Sequence, residues 1–249
     1  MEIYKTQNCC RSCGSTNIEI LFDFGETPLS DNLLTGDQLS EREIFVPLTL
    51  MLCRECTLVQ IKEEVDPNIL FCQDYPYYSS VSKSLMAHFE NSARNIIAKK
   101  NLGENSYVIE AASNDGYLLR HFAARNIPVL GIDPADGPAK VATDQGIDTL
   151  NTFFSKELAV ELRTEKQKRA DVFLANNVLA HVPDLNGFVE GISILLKEDG
   201  LAVIEAPYLL DLIEHCEFDT IYHQHLCYFS VTALQNLFNR HGLYLNDIE

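Results

Sequence analysis

YVIEAASNDGYLL, residues 107–119, decides the fold. Tyr107 to Ala112 is a short, nearly continuous apolar run and reads as a buried strand. Asn114, Asp115 and Gly116 then supply turn chemistry, and a helix follows from Tyr117 to Ala124. Strand, tight turn and helix make the unit on which nucleotide-type cofactors bind. The G-x-G-x-x-G spacing of dinucleotide sites is missing, so no glycines cradle a pyrophosphate. Glu110 at the strand end, the small Ala112 and Gly116 at the helix start suit a ligand without phosphate. S-adenosylmethionine is such a ligand: its amino-acid tail needs close backbone approach, and its ammonium and ribose need acidic groups. The plainer alternative for Glu110 is a loop or helix-capping carboxylate.

Outward from this stretch, strands and helices alternate. Helical spacing of apolar residues runs from Ser82 to Lys100. Strands are expected at Pro128–Asp133, Asp148–Asn151, Asp171–Asn176 and Leu201–Ala206, with helices at Ala139–Gln145, Lys156–Lys168 and Leu185–Leu196. The pattern predicts an α/β fold, a parallel sheet with helices on both faces. Ligands of such sheets bind beyond the carboxyl ends of the strands. Asp133, at the tip of the second strand, is placed to grip ribose hydroxyls.

Upstream lies a different kind of chain. Cys10-Arg-Ser-Cys13 and Cys53-Arg-Glu-Cys56 are two tight cysteine pairs, and Gly14 follows the first. Two C-x-x-C turns bring four sulfurs around one tetrahedral Zn2+, and four thiolates close the shell, so the site reads as structural. Cys9 in place of Cys10 would give a C-x-x-x-C spacing, so Cys10 is preferred. Cys72, Cys216 and Cys227 stand alone and read as small core residues. With the strand-like FVPLTLMLC at 45–53, residues 1–75 make a small, loop-rich zinc-binding domain that needs its metal as a staple. Residues 76–249 form the second domain.

Composition narrows the partners. The 249 residues are 46% hydrophobic and carry a formal charge of -17. Such a surface repels nucleic acid and anionic membranes. No run approaches ~20 apolar residues, and the first residues lack the apolar stretch of a signal peptide. A soluble, cytoplasmic protein is expected, monomer or dimer.

FDTIYHQHLCYFS, residues 218–230, sets Tyr222, His223, Gln224 and His225 side by side ahead of a helix at 231–240. On a strand, His223 and His225 would point to one face and could share a metal ion, but no third ligand is near. Packing in a half-buried strand is the plainer alternative.

The motifs CRSCG, LFDFGETPLSDNLL, YPYYSS, VIEAASNDGYLL, GIDPA, ANNVLAHVPD, VIEAPYL and YHQHLCYFS occur in this order. Together they make the chain resemble the zinc-containing, S-adenosylmethionine-dependent sugar C-methyltransferases, which act on nucleotide-linked 4-keto deoxysugars. The resemblance runs from Cys10 to about Arg240. It implies a class I methyltransferase Rossmann-like domain preceded by a zinc domain, with Cys10, Cys13, Cys53 and Cys56 as zinc ligands. It further implies that Glu110, Ala112, Asn114 and Gly116 form the cofactor loop, that Asp133 holds ribose, and that Asn177, Tyr77 and Ser80 line the cofactor. Tyr75, Tyr77 and Tyr78 could wall the same pocket or pack as core. His181, Tyr222, Gln224 and His225 match the reacting end; where the family commonly has Glu, this chain has Gln224.

Methylation beside a ketone requires a base for the carbon-bound proton and a donor for the enolate oxygen. His225 is the expected base and Tyr222 the expected donor. His181 would orient the substrate or relay a proton, and Gln224 can hydrogen-bond but cannot take one. His88, His121, His215 and His241 read as ordinary helix-surface residues. A last strand, LYLNDI at 243–248, would be the sixth of a seven-stranded sheet, so a piece of a longer polypeptide is expected. Two rival functions are a nicotinamide-dependent sugar oxidoreductase, which the missing glycines oppose, and a non-catalytic binding module.

Overall fold

The computed structural model describes residues 3–30, 33–40, 42–71 and 76–249; Cys72 and Tyr75 lie outside them. In chain order the elements are β1 (Tyr4–Thr6), β2 (Ile18–Pro28), β3 (Phe45–Cys53), β4 (Val59–Ile61), β5 (Glu63–Val65) and α1 (Pro67–Phe71). Then come α2 (Lys83–Lys100), β6 (Val108–Ala111), α3 (Leu119–Ala123), β7 (Val129–Ile132), α4 (Asp136–Asp144) and β8 (Thr149–Leu150). They are followed by α5 (Lys156–Thr164), β9 (Ala170–Asn176), α6 (Leu185–Leu195) and β10 (Leu196–Glu205). The order closes with α7 (Leu209–Glu214), β11 (Cys227–Tyr228) and α8 (Val231–Arg240).

These elements make two compact units that are not successive along the chain. One gathers Met1–Leu70, Leu179–Val189 and Ala206–Glu249; the other gathers Phe71–Val178 and Glu190–Glu205. The first stretch ends close to the expected boundary at 75. The segments 179–189 and 206–249, which the sequence pattern assigns to the second domain, belong by contact to the unit of the cysteines.

The second unit is the parallel sheet, in the order β10-β9-β6-β7-β8. Each ladder is parallel, and Glu110 of β6 lies opposite Gly131 on one side and Leu174 on the other. The order reverses direction between β6 and β9, which is where an open sheet of this kind leaves a crevice at its carboxyl edge. The central strands β6 and β9 are buried on both faces and are almost wholly apolar. Phe122, Leu118, Val172 and Leu174 sit in one core with Phe89, Ala93 and Ile96 of α2. Those three recur at helical spacing. Ser82 caps α2, its Oγ accepting from Leu85 N at 3.3 Å, and left-handed Asn101 ends it.

The first unit holds an antiparallel sheet, β11-β4-β3-β2, and a β1-β5 ribbon. Two sequence expectations fail here. Residues 243–248 form no strand; Leu243 and Leu245 are half-buried, but the stretch makes no ladder bond. Of residues 222–230 only Cys227 and Tyr228 are strand, because the chain turns at 222–225, with His225 N donating to Tyr222 O at 3.0 Å. Cys216 is exposed rather than core, in a left-handed turn after α7, whereas Cys227 is buried.

Candidate cofactor site, metal centre and reacting loop

Beyond β6 the chain turns through Ala112, Asn114 and Gly116 at φ of +55°, +47° and +74°. Three left-handed residues in five bend the loop sharply back on itself. Asn adopts that region readily; Ala does so at a cost of about 1–2 kcal/mol. At Gly116 a Cβ would also stand 3.0 Å from Ile147 Cγ1. Gly116 is therefore a backbone requirement, which the sequence shows only as a small residue at the helix start.

Asp133 fixes the loop from the tip of β7. Its Oδ2 accepts from Asn114 N at 2.8 Å and its Oδ1 from Ala135 N at 2.9 Å. Burial pushes its carboxyl up to about 6, against the pull of those two amides. Each oxygen keeps a lone pair for a further donor. Tyr77 and Ser80 flank the loop differently from a simple lining. Asn114 Nδ2 donates to Tyr77 O at 3.1 Å and Asn114 Oδ1 accepts from Ser79 N at 2.9 Å. Ser80 Oγ donates to Asp115 Oδ2 in a short contact, while the Tyr77 ring is half exposed.

Glu110 is fully buried and neither carboxylate oxygen has a hydrogen-bond partner. Burial holds its carboxyl well above the usual range; the Tyr117 hydroxyl, too poorly placed for an ordinary hydrogen bond, still pulls the other way, and Asp133 and Asp115 add to the rise. Ser113 Oγ, Asp115 Oδ1 and Asn176 Oδ1 are likewise buried without partners. Leaving such atoms unpaired costs about 1–3 kcal/mol each, and all of them lie at the carboxyl ends of β6 and β9. Asn177, at φ +52°, turns its Nδ2 to Glu205 Oε1 at 2.8 Å, and Glu205 Oε2 lies 2.7 Å from His88 Nε2. Unpaired acceptors and acids in this crevice fit a ligand carrying an ammonium, a sulfonium and ribose hydroxyls, so these residues can hold S-adenosylmethionine. Glu205 escaped the sequence reading, although its signal was there: VIEA occurs twice, at 108–111 and 203–206, each time with the acid near the strand end.

In the other unit, the sulfurs of Cys10, Cys13, Cys53 and Cys56 all lie within 4.8 Å of one another. Sγ separations are 3.4 Å for Cys10–Cys56 and 3.6 Å for Cys13–Cys53, close to the ~3.8 Å edge of a tetrahedron with 2.3 Å Zn–S bonds. Both turns close alike. Gly14 N donates to Cys10 O at 2.9 Å and Thr57 N to Cys53 O at 3.0 Å, and each donor has positive φ. Four converging thiolates without another donor suit Zn2+. Cys9 is not in the cluster. Beside it, the buried Arg11 guanidinium pairs with Glu64, which Lys5 also meets at 2.8 Å; these charges hold the Glu64 carboxyl down against its burial.

The turn 220–228 belongs to the same unit. His225 Nδ1 lies 2.8 Å from Thr220 O. A carbonyl only accepts, so Nδ1 carries the hydrogen and Nε2 carries the lone pair. That lone pair faces the Tyr222 hydroxyl at 3.1 Å. The Tyr228 hydroxyl donates to the same Thr220 carbonyl at 3.2 Å. His181 stacks obliquely on His225, ring centroids 4.9 Å apart, and its Nδ1 meets Gln224 O at 2.8 Å. Burial lowers the basicity of His225, which favours the neutral ring. His223 turns away, its Nε2 to Pro47 O at 3.0 Å. The turn thus gives the two histidines separate partners, and a shared metal ion loses its geometry; among the described residues only the four cysteines gather as a metal-binding group.

Comparison with known proteins adds to this geometry. A family model described as a methyltransferase domain matches residues 86–247, and one described as a zinc binding domain matches residues 10–71. C-methyltransferase NovU of Streptomyces niveus is 35% identical over 239 residues, 96% of this chain and 56% of that protein. The chain therefore spans little more than half of that relative's length. Among solved structures, a chain from the complex of the Haloferax volcanii Trm112 methyltransferase activator with a methyltransferase superposes at TM-score 0.51 and 16% identity. That match covers 66% of this chain and 73% of the other. The plantazolicin methyltransferase BpumL in complex with SAH gives 0.50 at 16% identity over 62% and 63%. At such identities the likeness is one of fold.

Proposed function

The chain belongs to the S-adenosylmethionine-dependent methyltransferase family and carries a zinc-binding domain, and from that premise we propose that it methylates a carbon next to the ketone of a nucleotide-linked 4-keto deoxysugar. The observation that carries this is the Tyr222–His225 pair: a neutral imidazole in one tautomer with its lone pair on a phenol. O- and N-methylation of good nucleophiles need little more than alignment; carbon beside a ketone needs a base and an oxyanion donor together. The name of the Streptomyces niveus relative supports the same class of reaction.

When bound, S-adenosylmethionine supplies an electrophilic methyl group. Glu110, Asp133 and the backbone of residues 112–116 would hold and orient it, and Asn177 would line it. His225 Nε2 takes the proton from the carbon beside the ketone. The Tyr222 hydroxyl moves from Nε2 to the ketone oxygen and donates to it as negative charge gathers there. The Thr220 carbonyl, bound to Nδ1–H, steadies the imidazolium that results. His181 and Gln224 position the sugar. Zn2+ stays apart from the reaction, since four thiolates saturate it.

Mass spectrometry of the protein mixed with S-adenosylmethionine and a panel of nucleotide-bound 4-keto sugars is expected to show the gain of one methyl on carbon. Methyl gained only on oxygen or nitrogen acceptors would overturn the proposal. His225→Asn is expected to lower turnover by about a hundredfold to ten-thousandfold with cofactor affinity nearly unchanged. Near-normal turnover would remove His225 as the base.

A further inference from the structure

The thiolate turns and the reacting turn are joined by one buried side chain. Gln60 is fully buried in β4. Its Oε1 accepts from Arg11 N at 2.9 Å and its Nε2 donates to Cys9 O at 3.1 Å, so it clamps the backbone on both sides of Cys10. Its own backbone pairs with Cys227 of β11, and the next residue, Ile61, donates to Leu226 O at 3.0 Å. Leu226 N in turn donates to Ala180 O at 2.7 Å, beside His181. Two further bonds tie the first thiolate turn down: Asn186 Nδ2 donates to Arg11 O and Ser12 O at 2.9 and 3.0 Å.

We propose that Gln60 is a positioning residue through which the occupied thiolate site fixes the Tyr222–His225 pair. The metal sets the path of residues 9–13; Gln60 transfers that path to β4; β4 sets the register of β11; and β11 ends the turn that presents His225. The reacting turn has almost no regular structure of its own, so its geometry is borrowed from this ladder. The functional meaning rests on the carbon-methylation proposal, but the coupling itself does not require it.

Histidine side-chain NMR tests this, with the His225 signals assigned by their loss in His225→Asn. In the zinc-loaded protein the two ring nitrogens of His225 are expected to show the widely separated shifts of a single tautomer. Chelating the zinc, or Gln60→Met with zinc content unchanged, is expected to collapse them toward tautomer-averaged values. Gln60→Glu, which keeps the acceptor for Arg11 N and loses the donor to Cys9 O, is expected to fall between. If chelation unfolds the unit, the zinc-loaded Gln60→Met protein decides; if that variant unfolds, Gln60→Glu decides. A single-tautomer pattern that persists in the folded altered protein overturns the coupling. Coupling that holds while His225→Asn retains full turnover would instead sink the functional proposal alone.

Discussion

At the scale of single residues, the cofactor crevice makes its own pH dependence. Burial raises Asp133 to about 6, above the ordinary 3.8. Its contribution to stability is therefore complete below the unfolded value and is lost as pH rises through the folded one. Binding of S-adenosylmethionine through Asp133 would have the opposite sign, because ribose hydroxyls would donate to the ionised carboxylate. Calorimetric titration is expected to show S-adenosylmethionine affinity rising roughly tenfold from about pH 5 to about pH 7, with the rise flattened in Asp133→Asn. An unaltered slope in that variant would free Asp133 of the ribose. Gly116→Ala faces both a left-handed backbone and Ile147, and is expected to cost about 1–3 kcal/mol in thermal unfolding. Such residues were legible unevenly. Glu110 and Asp133 announce themselves as acids at the ends of apolar runs. Gln60 looks like any polar residue in a short strand, because its partners, Cys9 and Arg11, are some fifty positions away.

At the scale of elements, local signals predicted what local physics controls. The helix at 231–240 was legible because Ser230 precedes it and caps it, Oγ accepting from Ala233 N at 3.1 Å. Ser230→Ala is expected to lower unfolding free energy by about 1 kcal/mol in denaturant titration; no change would mean that the far end, where Arg240 donates to Ser12 O at 2.9 Å, holds the helix alone. The central strands β6 and β9 were legible because burial on both faces makes them near-continuous apolar runs. The turn at 222–225 and the irregular tail at 243–248 were not. Their apolar alternation imitates a strand, but a strand exists only where a partner offers its ladder, and β4 offers one to Cys227 and Tyr228 alone.

At the scale of the whole molecule, the linear pattern of a cysteine-rich start and an α/β remainder concealed the returns of the chain. Two later segments rejoin the unit of the cysteines, and they carry His181, Tyr222, Gln224 and His225. The four cysteines and these candidate reacting residues thus share one compact unit, while Glu110 and Asp133 belong to the other. Calorimetry of zinc-depleted protein is expected to show two separated transitions, of which added S-adenosylmethionine raises only the hotter. A single transition that moves as a whole would mean that the two units melt as one.

The returning segments also have a consequence for biosynthesis. The thiolates of residues 10–56 leave the ribosome before the parallel sheet does and can capture their ion first. The second partner of β4, β11, is translated on the order of ten seconds later, after the entire parallel sheet. Until Cys227 emerges, the nascent chain carries a strand with a bare hydrogen-bonding edge, the kind of edge on which chains associate wrongly.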